Sequence, residues 1–240
     1  MSQWEYNAAP DLDAGLVERL REFPRQPDML IYGIRSLAAL ALRVWLRLYH
    51  RLQISGREHL PEQGSFIIVC NHTSHLDTLC LLCCVPLTKL HRTFPAAAAD
   101  YFFSSAPRTL ISSALINALP FERETKGAES LSVCAELLAN DGNILIIFPE
   151  GTRTMTGEMA RFRSGIGRLI VGTALPVVPC HLSGGMEAWP KGAFFPRPRR
   201  LRLRIGAAQT YPDFPKSKES VQDICGDLQN RVAELGATQL

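Results

Sequence analysis

Two short polar clusters in this chain carry residue types that can move a proton and hold an anion. The first, Asn71-His72-Thr73-Ser74-His75-Leu76-Asp77, follows an apolar run at 65–70. Imidazole titrates near neutral pH, and a carboxylate beside it fixes its tautomer and stabilises the imidazolium formed when a proton is taken. His72 and Asp77 are five positions apart, so on a continuous helix they would stand about 140° from each other and could not meet. If the chain turns at 71–73 and a helix begins near Ser74, Asp77 can reach back to the imidazole. The pair therefore requires a turn into a helix at a strand end, which is where sites form in parallel α/β sheets. Two other readings fit the same residues. Ser74 and Asp77 have the spacing of an N-terminal capping box, and His72, His75 and Asp77 are all metal-ligating types. His75 itself reads as structural, turned away from His72.

The second cluster, Phe148-Pro149-Glu150-Gly151-Thr152-Arg153, follows a second apolar run at 144–148. Arg153 suits bidentate recognition of a phosphate, and Glu150 can orient it or bind a hydroxyl. Gly151 lets backbone approach a ligand, and Thr152 adds a hydroxyl. A generic turn is the plain alternative. A third candidate, Arg123, comes after a mostly uncharged stretch, and by itself a surface arginine is more often solvated than functional. The apolar material from 94 to 119 reads either as the lining of a groove for an alkyl chain or as core.

The elements that must position these clusters are visible in the pattern. The runs 65–70, 144–148 and 175–180 read as buried strands, with a helix at 128–139 between the first two. Buried strands alternating with helices imply an α/β fold with a central, mostly parallel sheet flanked by helices. At 200–205 arginines alternate with Leu201, Leu203 and Ile205, the pattern of a half-buried strand with a basic outer face, and 217–235 reads as a closing helix. Residues 1–28 are polar, with a short helix expected near 12–23.

The stretch 29–53 is apolar but carries Arg35, Arg43, Arg47 and Arg51, which fall within a sector of roughly 160° on a helix. Ile34, Ala41, Val44, Trp45, Leu48 and Leu52 lie opposite. A spanning helix wants about 18 nearly uncharged residues, and the longest charge-free piece here has seven. The expectation is an amphipathic helix in the headgroup region of a membrane, its basic face with Trp45 and Tyr49 at the interface. A cap on a soluble core and a tilted or re-entrant insertion are the alternatives.

Composition narrows the classes. A chain of 240 residues suits one sizeable domain, and a net charge of +3 indicates no nucleic-acid partner. Lys191, Arg197, Arg199, Arg200, Arg202 and Arg204 cluster with no acid among them, which suits nucleic acid, anionic lipid or a phosphorylated substrate. Aromatic interleaving and a recognition-helix signature, which a nucleic-acid module needs, are missing from 196–204. Seven cysteines are an odd count lying partly in apolar runs, so they read as buried, reduced thiols. No second cysteine pair stands at zinc-finger spacing, and there is no GxSxG elbow of the α/β-hydrolase kind.

Taken together, the motifs resemble the glycerolipid acyltransferase family, which includes 1-acyl-sn-glycerol-3-phosphate acyltransferases. NHTSHLD at 71–77 matches its histidine-x4-aspartate motif, FPEGTR at 148–153 matches in full, and LPVVP at 175–179 is similar to its proline-containing strand motif. NALPFER at 117–123 matches the second motif in part, with Asn117 where glycine is usual. The resemblance covers about residues 54–210 and implies His72 as base with Asp77 as its partner. It implies that Arg123, Glu150, Gly151, Thr152 and Arg153 bind a polar, phosphorylated acceptor. It further implies an acyl thioester, acyl-CoA or acyl-carrier protein, as co-substrate, a lysophospholipid-like acceptor and no cofactor or metal. Residues 1–53 then read as an N-terminal membrane-association segment and 54–240 as the acyltransferase α/β domain. The expected location is the cytoplasmic face of a membrane, peripheral or monotopic. Another lysophospholipid, a lyso-aminolipid or a different alcohol is the alternative acceptor, and a non-catalytic lipid-binding protein the alternative class.

Overall fold

The computed structural model describes residues 29–98, 115–121 and 127–237. In chain order the elements are α1 (Met29–Tyr49), β1 (Gln53–Ser55), β2 (Phe66–Cys70), α2 (Leu76–Cys84), β3 (Thr93–Ala98), β4 (Leu119–Phe121) and α3 (Gly127–Ala139). They continue with β5 (Ile144–Ile147), α4 (Ser164–Ile170), β6 (Thr173–Ser183), α5 (Gly185–Ala188), β7 (Arg202–Ile205), β8 (Gln209–Tyr211) and α6 (Lys218–Ala237). The fold is α/β, with a central, mostly parallel sheet between helices.

The three apolar runs form the middle of the sheet. β2 pairs in parallel with β5 on one side and β6 on the other, in the order β1-β7-β6-β2-β5-β3-β4, with β8 also on β6. Among the described residues, only the pairings of β6 with β7 and with β8 are antiparallel. β2 is buried at every residue because both faces of the sheet are covered. Phe66, Ile68 and Cys70 face a core shared with α2 and with Leu46 of α1, whereas Ile67 and Val69 face one shared with α3, α4 and α6.

Short strands β1, β3, β4 and β8 are not indicated by the sequence pattern. In β3 and β4, Pro95 and Pro120 withhold a ladder donor and the alanines have weak strand preference. Pairing supplies what propensity does not: β3 meets β5 through Thr93–Pro95 and β4 through Ala96–Ala98. β7 follows its alternation, with Leu203 and Ile205 buried and Arg202 and Arg204 half-buried. The outer basic face is partly taken up internally, since Arg204 donates to the Leu235 carbonyl at the end of α6 (2.8 Å).

α1 corrects one expectation. Arg35, Ala39, Leu42 and Leu46 face the domain, while Leu30, Ile34, Leu37, Ala41, Val44 and Leu48 are exposed or nearly so. Thus the arginines do not form one outward basic face. Arg35 is buried, and the Arg43 guanidinium donates to the Val85 carbonyl just beyond α2. Arg57 donates to the Cys83 carbonyl (3.2 Å), so the end of α2 has two arginines on its unpaired carbonyls. That demand for donors turns Arg43 inward and leaves the apolar side of α1 facing out. At 21 residues α1 is long and apolar enough, by length and composition, to cross a membrane, yet one face is packed on the domain.

Asn117 stands where the resemblance leads one to expect glycine, and its φ is +58°. Asparagine is among the few side chains that tolerate this left-handed region. Its amide also donates to the carbonyls of His91 and Thr93, both at 3.1 Å. The departure from glycine therefore keeps the backbone conformation. Asn117→Gly, which loses only the side-chain bonds, should cost about 1–2 kcal/mol in urea unfolding. Asn117→Val should cost about 1–3 kcal/mol more, from the positive φ. Equal losses would mean that the backbone conformation is not what the residue serves.

Candidate active site

The turn demanded by the His72–Asp77 spacing is present. β2 ends at Cys70, α2 begins at Leu76, and His72 Nδ1 lies 2.8 Å from Asp77 Oδ2. Asp77 is fully buried, while the His72 side chain is 16% exposed, so the imidazole is reached from outside and its partner is not. The same carboxylate serves as a backbone cap: Oδ2 accepts the N–H groups of Thr73 (2.6 Å) and Ser74 (2.9 Å), and Oδ1 accepts the Ser74 hydroxyl (3.1 Å). Capping and imidazole orientation are therefore one arrangement. With a carboxylate on Nδ1, that nitrogen carries the proton and Nε2 is left as the basic atom.

Asn71 anchors the turn to the neighbouring strand. Its amide donates to the Leu182 carbonyl (3.1 Å) and its oxygen accepts the Leu182 N–H (2.8 Å). On the other side the second cluster arrives from β5, because β2 and β5 are parallel neighbours and their carboxyl ends are adjacent. Phe148 stacks on the His72 ring with centroids 4.1 Å apart. The Thr154 N–H donates to the His72 carbonyl (2.9 Å). Glu150 is buried, accepting the His72 N–H on Oε1 (2.7 Å) and the Ala160 N–H on Oε2 (2.8 Å). Burial pushes its pKa up from the ordinary carboxylate value, and the two backbone donors pull against that shift.

The remaining sequence candidates are placed as follows. The Arg153 guanidinium donates to His75 Nε2, and the His75 ring lies 5.1 Å from Trp189. His75 therefore joins the two clusters, where the sequence suggested a structural residue facing elsewhere. As a metal ligand set, His72, His75 and Asp77 do not fit: both Asp77 oxygens are taken up by the Thr73 and Ser74 N–H groups, the Ser74 hydroxyl and His72 Nδ1, and the Arg153 guanidinium sits on His75 where a metal cation would be repelled. Gly151 has φ +76°, and a Cβ there would fall 2.6 Å from Arg163 Nε. Thr152 is exposed. Arg123 and most of the apolar stretch 94–119 lie outside the described residues.

Sequence reasoning missed Gly185, the first residue of α5. A Cβ there would fall 2.6 Å from Thr73 Oγ1 and 3.0 Å from Asp77 Oδ1, so only glycine lets this backbone close over the buried carboxylate. The Gly184-Gly185 pair after a strand was the available signal. All seven cysteines are free and buried. Burial pushes the Cys83 thiol up to about 11 and those of Cys84 and Cys134 up to about 12, which keeps them protonated.

Burial first, then the neighbouring Arg153 and His72, hold the His75 pKa below its ordinary value. The unfolded chain protonates His75 near pH 6.5, the folded chain only at lower pH, so acidification through that window favours the unfolded chain. Replacing His75 by Gln should flatten the loss of melting temperature between pH 7.5 and 5.5, and an unchanged slope would show that His75 does not contribute.

Comparison with known proteins follows the same geometry. The family model described as Acyltransferase matches residues 51–183, more than half of the chain and the span holding both clusters. A 1-acyl-sn-glycerol-3-phosphate acyltransferase of Bacillus subtilis is 29% identical over 83% of this chain and 96% of its own length. The mouse 1-acyl-sn-glycerol-3-phosphate acyltransferase alpha is 26% identical over 65% of this chain, and the coconut (Cocos nucifera) 1-acyl-sn-glycerol-3-phosphate acyltransferase 28% over 73%. In those two the match spans about half of the relative's length, 53% and 54%. The fold is similar to the crystal structure of the 1-acyl-sn-glycerophosphate acyltransferase PlsC of Thermotoga maritima, with TM-score 0.63 and 24% identity over 86% of this chain and 81% of that one. A sheet that brings an aspartate-held imidazole beside the FPEGTR loop, within a span matched by that family model, makes this chain a member of the acyltransferase family, an enzyme of acyl transfer.

Proposed function

We propose that the enzyme is an O-acyltransferase that passes a fatty acyl group from an acyl thioester, acyl-CoA or acyl-carrier protein, to the free hydroxyl of 1-acylglycerol-3-phosphate at a membrane surface. The observation carrying the chemistry is the His72 Nδ1 to Asp77 Oδ2 contact of 2.8 Å, with the His72 side chain partly open to solvent and Asp77 enclosed. The acceptor class is supported by the names of the relatives, and the membrane setting by the exposed apolar side of α1. The cytoplasmic leaflet is the expected face.

In this reading Asp77 holds Nδ1–H, and Nε2 takes the proton of the acceptor hydroxyl as its oxygen attacks the thioester carbonyl. The tetrahedral intermediate collapses with loss of the thiolate, and the proton held on Nε2 passes to that sulfur or to solvent. The products are an oxygen ester and a free thiol, so no covalent acyl-enzyme and no cofactor is required. Arg153, beside the same turn, supplies positive charge for the acceptor phosphate, and Arg123 is assigned the same role from its motif. Gly151 and Thr152 shape the adjoining loop.

Glu150 is better supported as a positioning residue than as a binder of acceptor, because both of its oxygens already hold backbone, one of them that of His72. Glu150→Gln turns an amide N–H₂ toward a backbone N–H. The expected result is a fall in kcat with little change in KM for acceptor; a rise in KM with kcat preserved would return Glu150 to acceptor binding.

His72→Ala should lower kcat by about 10²–10⁴-fold in a chain that still folds, with a melting temperature lowered by the loss of one donor to the buried Asp77. Turnover equal to that of the parent would end the general-base assignment. Mass spectrometry of products from a panel of lysophosphatidic acid, other lysophospholipids, lyso-aminolipids and simple alcohols tests the acceptor. Lysophosphatidic acid is expected to lead, and a clear preference for another member would replace it.

A further inference from the structure

The segment between α5 and β7 does no work in the chemistry above, yet it is held in one shape with its apolar tip in the open. Its neck is closed by the Arg197 N–H on the Ala188 carbonyl (2.7 Å), and its interior is braced by the Trp189 indole N–H on the Ala193 carbonyl (2.9 Å). The Tyr49 hydroxyl donates to the Pro196 carbonyl (3.1 Å), which ties the loop to the end of α1. Phe194 and Phe195, edge to face at 4.6 Å, are 83% and 73% exposed. Two adjacent exposed phenyl rings on a braced loop call for an apolar occupant.

The surroundings say which one. Lys191, Arg197, Arg199 and Arg200 are all exposed, and no acidic residue occurs from 188 to 204. Rings flanked by cations match the two layers of an anionic bilayer, acyl chains below and phosphates above. The loop also adjoins the exposed apolar side of α1, where Leu48 precedes the tethering Tyr49. It grows from α5, whose Gly185 closes over Asp77 and whose neighbour Trp189 lies against His75.

We infer that residues 189–200 form a second bilayer anchor, in which Phe194 and Phe195 enter an anionic membrane and the four cations hold its headgroups, setting the partly exposed His72 against the lipid. The inference rests on the reading that the acceptor is drawn from a membrane. Docking by α1 alone would fix the enzyme to a surface but not the direction in which the site opens; the loop, tied to both α1 and α5, supplies that direction.

The test uses the full chain with phosphatidylcholine vesicles and with vesicles containing phosphatidylglycerol as well. The double variant F194S/F195S should reduce pelleting with the anionic vesicles by about tenfold or more. It should also slow acylation of vesicle-borne lysophosphatidic acid while leaving turnover of a short-chain, water-dissolved acceptor unchanged. Replacing Lys191, Arg197, Arg199 and Arg200 by Gln should remove the preference for anionic vesicles. Vesicle binding unchanged in F194S/F195S, or a parent indifferent to lipid charge, would overturn the anchor. So would a change in self-association by sedimentation velocity with vesicle binding intact, which would assign the tip to a second copy of the chain. If the expected vesicle results appear but no lysophospholipid is acylated, the anchor stands and the proposed acceptor falls.

Discussion

The Asp77 carboxylate is a buried charge, and a buried charge is tolerated only where donors surround it. Here the donors are the N–H groups of Thr73 and Ser74, the Ser74 hydroxyl and the His72 ring. Each of these bonds constrains the path between β2 and α2, so satisfying the charge and shaping the turn are the same event. Removing the carboxylate would free the imidazole and also leave two buried backbone donors unpaired. The reactive geometry is thus a by-product of the way this helix begins. It is rigid for the same reason.

A second buried carboxylate works from the opposite side. Glu150 takes the backbone N–H of His72 while Asp77 takes its ring, so the histidine is gripped at both ends by acids 78 and five positions away along the chain. Adjacent parallel strands make that possible, since their carboxyl ends lie about 5 Å apart whatever the length of the crossover. Phe148 then fills the face of the ring, and Asn71 pins the turn to β6 on the far side. Four consecutive chemical demands are met by three neighbouring strand ends, β6, β2 and β5.

Much of this was legible in the residues themselves. The buried middle strands announced themselves as short β-branched runs, and the five-residue spacing of His72 and Asp77 could be satisfied in only one local geometry. Asn117 was legible as a departure, and its positive φ supplies the reason that asparagine of all residues replaces glycine. Other features depended on partners distant in sequence. β3 and β4 rest on pairing that proline and alanine do not advertise. The inward turn of Arg43 answers carbonyls at the end of α2, which no helical wheel of α1 contains. Gly185 contributes the side chain it lacks, so its only trace in the residues was the Gly184-Gly185 pair after a strand.

The distribution of the seven thiols gives the molecule an internal chemical clock. Cys70, Cys80, Cys83, Cys84 and Cys180 belong to the core on the α1–α2 side of the sheet, and Cys134 and Cys225 to the core on the α6 side. A protonated, enclosed sulfur reacts with an added disulfide reagent only when the surrounding structure opens. Mass-resolved labelling therefore times the breathing of each layer separately, without introducing any probe. Binding that quiets one layer and not the other would be read directly as a difference in labelling rate between two groups of native side chains.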